Sequence, residues 1–150
     1  ILFVKSNYSK DKGDYIRGEK KFIGYQDRII QEKKKVFTIT VNSLDHIISG
    51  NQVLEYIIKN KKFNINCIIC DEICALGIIY QARHYNIEIP KQVAVVGMGN
   101  SQNVQLSRPK LSTIDINAYD IGKKAASQIF KYDQKKITNI DFTFIKGESA

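Results

Sequence analysis

Cys67-Ile-Ile-Cys70 is an uninterrupted apolar run of strand length, and it passes through Asp71-Glu72 directly into Ile73-Cys-Ala-Leu-Gly77. A strand with no polar face is one buried on both sides, as in parallel sheets covered by helices. Beyond it, Ala75, Ile78, Ile79 and Ala82 fall at i, i+3, i+4 and i+7, which predicts a helix from Glu72 to about Tyr85. A buried strand leading at once into an amphipathic helix is the first half of a βαβ unit.

The same alternation continues in both directions. Downstream, Pro90 closes the unit, and Val93-Ala-Val-Val-Gly97 is a second apolar strand that ends in the turn Gly97-Met98-Gly99-Asn100. Leu111 to Asp115 reads as a strand. Asn117, with Asp120 three residues later, resembles a capping box for a helix carrying Ile121, Ala125 and Ile129, and Ile140 to Ile145 reads as a closing strand. Upstream, Ile1 to Val4 predicts a strand, and the polar stretch after it ends in Asp14, a helix N-cap residue. A helix from Tyr15 to about Gln31 and a strand from Lys35 to Val41 follow. Ser49 or Asn51 then caps a helix with Val53, Leu54, Ile57 and Ile58 on its core face. The pattern predicts an α/β fold, a three-layer αβα sandwich with a mainly parallel sheet. Ligands of such sheets bind beyond the carboxyl ends of the strands, so the loops after Val4, Val41, Cys70 and Val96 form the predicted functional rim.

Composition narrows the function classes. A chain of 150 residues, 43% hydrophobic and 25% charged, suits one globular domain. No apolar run approaches the roughly 20 residues of a membrane span. The opening Ile-Leu-Phe-Val replaces an initiator Met and lacks the basic lead of a signal peptide, which predicts a start inside a longer protein. The net charge of +8 comes from lysine runs, such as Lys33-Lys34-Lys35 and Lys123-Lys124, mostly at element ends. Those are solvated faces, and no helix-turn-helix or aromatic-interleaved RNA motif accompanies them. Cys67, Cys70 and Cys74 form an odd set without a second ligand pair, so reduced, buried thiols in a cytosolic protein are the reading, with no metal site.

Enzymatic chemistry finds no support. Gly97-x-Gly99 lacks the third glycine of a dinucleotide fingerprint, because Gln102 stands there, so no cofactor is expected. His46 and His84 have no Ser or Cys nucleophile in an elbow beside them and read as solvated side chains. Asp71 and Glu72 lie at a strand end and a helix start. There a carboxylate either caps the helix or accepts paired hydrogen bonds from vicinal sugar hydroxyls.

Four blocks in order carry a resemblance. Cys67 to Gly77, Asn86-Ile-Glu-Ile-Pro90, Val93 to Gly97, and Pro109-Lys-Leu-Ser-Thr-Ile114 with Gly122 resemble the effector-binding core of the lactose-repressor (LacI/GalR) family of transcription regulators. Ser49-Gly50 and the terminus Ile145 to Ala150 add weaker similarity. The resemblance implies a periplasmic-binding-protein-like core of two subdomains with a sugar effector in the cleft, a homodimer, and operator DNA read only through an upstream helix-turn-helix not in this chain. It implies that 1–108 and 138–150 belong to the second subdomain, with 109–130 crossing to a mostly absent first one.

The ligand-binding positions of the family fall on Lys21, where the family has Arg, on Asp71, and on Asn100 beside Gly99, where the family has an acidic pair. Arg17, one helical turn before Lys21, is placed to supply the guanidinium that Lys21 replaces. With no carboxylate at Gly99-Asn100, the pattern is closer to that of members responding to maltose-type oligosaccharides. Leu76 and Ile79 match positions at which family members pair as dimers, and core packing accounts for them equally well. A sugar-binding protein of an uptake system shares the architecture and is the alternative.

Overall fold

The computed structural model describes residues 1–7, 12–131 and 139–150, and the side chains of all of these except 12–17 and 131. Six strands form one sheet: β1 (Leu2–Ser6), β2 (Phe37–Val41), β3 (Cys67–Asp71), β4 (Ala94–Met98), β5 (Ser112–Asp115) and β6 (Thr143–Ile145). The helices are α1 (Lys12–Gln31), α2 (His46–Lys59), α3 (Glu72–Gln81), α4 (Gln102–Leu106) and α5 (Ala118–Lys131). Strand order is β2-β1-β3-β4-β5-β6, parallel throughout except for β6, which runs antiparallel to β5. The α/β sandwich read from the sequence is the fold observed.

From β1 the chain steps outward through α1 to β2, then returns past β1 through α2 to β3. Right-handed crossovers in opposite directions put α1 on one face and α2 and α3 on the other. The two faces are not equally covered. Ile68 and Cys70 of β3 and Val95 of β4 point toward α2 and α3 and are fully buried, whereas Cys67, Ile69 and Val96 on the α1 side are half-buried. The strand expected to be buried on both sides is thus fully buried on one and half-buried on the other. On the second face Phe3 stacks on Tyr25 of α1 with ring centroids 5.0 Å apart, and Phe22 lies 5.8 Å away.

Local chemistry sets the boundaries. The helix expected to start at Ser49 or Asn51 starts one turn earlier, because the Asp45 carboxylate accepts from the amides of Ile47 (2.7 Å) and Ile48 (3.1 Å). Ser49 is instead fully buried inside α2. The helix predicted to run to Tyr85 changes after Gln81 into a 3₁₀ turn, Ala82–Tyr85, and Asn86 ends it in the left-handed conformation. Asn117 does not take the extended geometry of a capping-box residue. It has φ 52°, and its side-chain amide donates to the Asp141 carbonyl at 2.6 Å. The helix expected to begin after a cap at Asp14 begins earlier, at Lys12, so Asp14 lies within its first turn instead of before it.

The tightest packing is between α2 and α3. A Cβ on Gly50 would stand 2.4 Å from the Gly77 carbonyl carbon, and a Cβ on Gly77 only 1.7 Å from the His46 carbonyl oxygen. Gly77→Ala is therefore expected to cost about 3 kcal/mol, since backbone rather than a movable side chain blocks the methyl. Gly24→Ala, in α1 with nothing within 4 Å of the new Cβ, is expected to be neutral or to stabilise by up to about 1 kcal/mol. Urea melts of the two variants check the contrast.

Candidate ligand-binding rim

Because the crossovers from β1 and β3 leave in opposite directions, the carboxyl ends of these two adjacent strands flank a crevice, the place where open α/β sheets bind ligands. Ser6 ends β1 and Asp71 ends β3. The Ser6 hydroxyl donates to Asp71 Oδ2, while Asp71 Oδ1 accepts from the Cys74 amide at 3.0 Å. Asp71 thus takes one of the two roles open to it in the sequence, as the cap of α3, and its other oxygen accepts from the Ser6 hydroxyl across the crevice.

Lys21 joins this pair. A small cavity of about 40 Å³ is lined by Lys5, Ser6, Lys21 and Asp71, with Gly18 of α1, Met98 of β4 and Phe3 and Val4 of β1 also on its wall. Two of the expected ligand contacts, Lys21 and Asp71, are therefore brought together. Arg17 lies in α1, but its side chain is outside those described. Asn100 does not line the cavity, and its amide donates to Asp115 Oδ2 at 2.9 Å.

Lys5 and Ser6 were not singled out by sequence. Lys5 bonds Glu19 at 2.7 Å and lies 4.4 Å from the Phe22 ring centre, which fixes α1 against the end of β1. The signal available for them was their position at a strand end. Glu72, the other carboxylate of the pair, turns away from the crevice and accepts from the Ser101 amide at 2.9 Å and from the Ser101 hydroxyl. Gly99, with φ 135°, leaves room for it: a Cβ there would meet Glu72 Oε2 at 2.7 Å.

A second, larger concavity lies on the outer flank of α3. It is a groove of about 710 Å³ lined by Leu76, Ile79, Ile73, Tyr80, His46 and Leu106, among others. Leu76 and Ile79 both line it, yet Ile79 is only 7% exposed and serves mainly the core. The exposed apolar surface comes from Tyr80, Leu106 and Ile73, which sequence reasoning passed over. Apolar residues all around α3 were the available sign, since such a helix is covered on more than one side. His46 and His84 are exposed, as expected.

The three cysteines are free thiols. Burial pushes the Cys70 thiol well above its ordinary range, and its hydrogen bond with Cys74 adds to the effect. Burial also raises Cys67.

A sequence profile for the periplasmic binding protein-like domain matches residues 52–140. The chain belongs to that family. Within the family it is homologous to LacI-family regulators. It is 36% identical over 108 residues to the HTH-type transcriptional regulator RegA of Clostridium acetobutylicum, an alignment covering 69% of this chain and 32% of RegA. To the catabolite control protein A of Staphylococcus xylosus it is 24% identical over 133 residues, covering 88% of this chain and 38% of that protein. The chain thus spans about a third of the length of these curated relatives. In fold it superposes on a LacI-family transcriptional regulatory protein from Corynebacterium glutamicum (TM-score 0.79, 15% identity, 99% of this chain and 57% of that one). It superposes equally on the Lac repressor bound to ONPG (TM-score 0.79, 11% identity, 99% and 45%). The relatives are transcriptional regulators, not enzymes. No described helix of this periplasmic binding protein-like domain is long and apolar enough to cross a membrane.

The buried thiols give the domain a pH signature. A thiol whose folded pKa is raised stays neutral in the fold after the unfolded chain has begun to ionise. Its stabilising contribution is therefore complete below the ordinary thiol pKa and is lost as the pH climbs toward the folded value. Melting temperature should fall as the pH rises past the ordinary thiol pKa of about 8.5, and less steeply in Cys70→Ala than in the parent.

Proposed function

We propose that this domain is the effector-sensing, dimerising part of a DNA-binding transcriptional repressor, and that the effector is a sugar, of the maltose-type oligosaccharide class, held at the Ser6–Lys21–Asp71 rim. The observation that carries the reading is the Ser6 hydroxyl on Asp71: the carboxylate at the sheet's switch point already accepts from an alcohol, the chemistry by which a sugar hydroxyl is recognised. Lys21, on the wall of the same cavity, supplies a donor to a second hydroxyl. Arg17 on the same helix and Asn100 on the next loop are the further ligand contacts proposed.

A cavity of about 40 Å³ is far below the several hundred Å³ of a sugar-sized site, so this rim is half of one. The proposed other half is a first subdomain. The segment after Asp115 supports this: α5 carries Tyr119, Ile129 and Phe130 at 80%, 77% and 88% exposure, and β6 carries a half-exposed Phe144. An apolar face of that kind is built to be covered. In this reading 1–108 and 138–150 form one lobe, and 109–130 leads to the other, departing from the sheet after β5. Ligand closes the lobes, and the change of angle respaces DNA-binding heads carried upstream. The dimer forms through the α3 groove, which Leu76 and Ile79 both line.

Thermal melting with a panel of neutral oligosaccharides, sugar acids and sugar phosphates tests the rim. A ligand at about a hundred times its Kd stabilises by about 2.7 kcal/mol, and Lys21→Ala or Asp71→Asn should abolish the shift. A shift unchanged in both variants would place the effector elsewhere. Sedimentation tests the groove: Leu76→Glu with Tyr80→Glu should convert a dimer to a monomer of unchanged melting cooperativity, and a parent that sediments as a monomer at high concentration would overturn the proposed interface.

A further inference from the structure

The carboxyl ends of β3, β4 and β5 are joined by a continuous run of polar contacts outside the small rim cavity. It begins at Glu72, which accepts from both the amide and the hydroxyl of Ser101, while Ser101 Oγ in turn accepts from the Asn103 amide at the start of α4. The preceding residue, Asn100, donates from Nδ2 to Asp115 Oδ2 at 2.9 Å. Asp115 Oδ1 accepts from the Asn117 amide at 2.8 Å. Asn117, held at φ 52°, donates from its side chain to the Asp141 carbonyl at 2.6 Å, and its own carbonyl accepts from Ile121 in the first turn of α5 at 3.1 Å. Three stretches of chain thus converge on the Asp115 carboxylate and the residue after next: the turn that ends β4, the exit from β5 into α5, and the segment returning into β6.

We infer that Asn100 and Asp115 are positioning residues that set the angle at which α5 and the returning strand leave the sheet, and so couple the Gly99–Ser101 turn to that exit. The role of the exit as the connection between lobes rests on the function proposed above; the coupling itself does not. An amide on a carboxylate exposed to water contributes little to global stability, so its effect is on which local arrangement is populated. The geometry suits that task. Asp115 uses one oxygen for each side, and Asn117 is fixed through its backbone on one side and its side chain on the other. Met98, which lines the rim cavity, lies two residues before Asn100, so a ligand pressing on the end of β4 moves the turn that carries the latch. Asn100 acts here through Asp115, whatever it contributes to a bound ligand.

Residue-level hydrogen exchange by NMR on the 150-residue chain tests the coupling without any ligand. Asn100→Asp sets a carboxylate against a carboxylate. In the double variant N100D/D115N the contact is restored in reverse: the new amide at 115 donates to the carboxylate at 100, while its oxygen still accepts from Asn117. N100D should speed exchange of the Asn117 and Ile121 amides roughly three- to tenfold and leave Ile68 and Val95 in the central strands unchanged. The double variant should return both amides to within about twofold of the parent, a rescue that loss of bulk stability would not show. Asn100→Ala, which removes the donor without adding charge, should show the same pattern at smaller amplitude. Acceleration confined to residues 99–101, failure of the double variant to restore exchange, or an Asn100→Ala variant identical to the parent would each overturn the inference. A chain that binds no sugar but shows this exchange pattern would sink the effector reading and leave the coupling standing.

Discussion

The absence of side chains where α2 crosses α3 is the constraint on which the rest of this domain depends. Gly50 and Gly77 let two helices approach until backbone meets backbone, closer than any methyl group would allow. That approach seals one face of the sheet, so Leu2, Val4, Ile68, Cys70 and Val95 are essentially excluded from water. At roughly 25 cal/mol for each Å² of apolar surface removed from water, this face is where the domain gains most of its stability. It also fixes the roll of α3. With Gly77 pressed against the start of α2, Ile73, Leu76 and Tyr80 of α3 line the groove together with His46 of α2 and Leu106 of α4.

The start of α3 gathers the functional geometry because three successive residues point three ways. Asp71 faces the crevice and the Ser6 hydroxyl, Glu72 reaches to Ser101 at the head of α4, and Ile73 lines the outer groove. A single helix terminus thus connects the rim, the turn after β4 and the proposed dimer surface. Glu72 holds the terminus and the turn together, and Gly99 makes that reach possible.

Much of this could be read before any coordinates. Uninterrupted apolar runs at Cys67 to Cys70 and Val93 to Gly97, alternating with helical periodicity, specified a covered parallel sheet. Asp71 was legible as a helix cap at the rim, because its position follows from a strand end, and the family resemblance put Lys21 beside it on the same cavity wall. Lys5 and Ser6 were missed since nothing in a lysine or a serine after a strand marks it, and the contact partners Glu19 and Asp71 stand 14 and 65 residues away. The start of α2 was misplaced because Ser49 is also a good capping residue, and only packing against α3 shows that it belongs inside the helix.

Sequence alone determined the fold class, the buried strands and the strand end at which the carboxylate sits, for these follow from periodicity and local residue preference, and it pointed to the family through the resemblance carried by four motif blocks. Tertiary structure alone decided the order of the strands, the unequal covering of the two sheet faces, and the division of labour between Asp71 and Glu72. The reason is that these depend on where distant segments meet. Whether a carboxylate accepts from Ser6 or from Ser101 is settled by which chain end the crossovers bring within hydrogen-bond distance, and no local pattern encodes that distance.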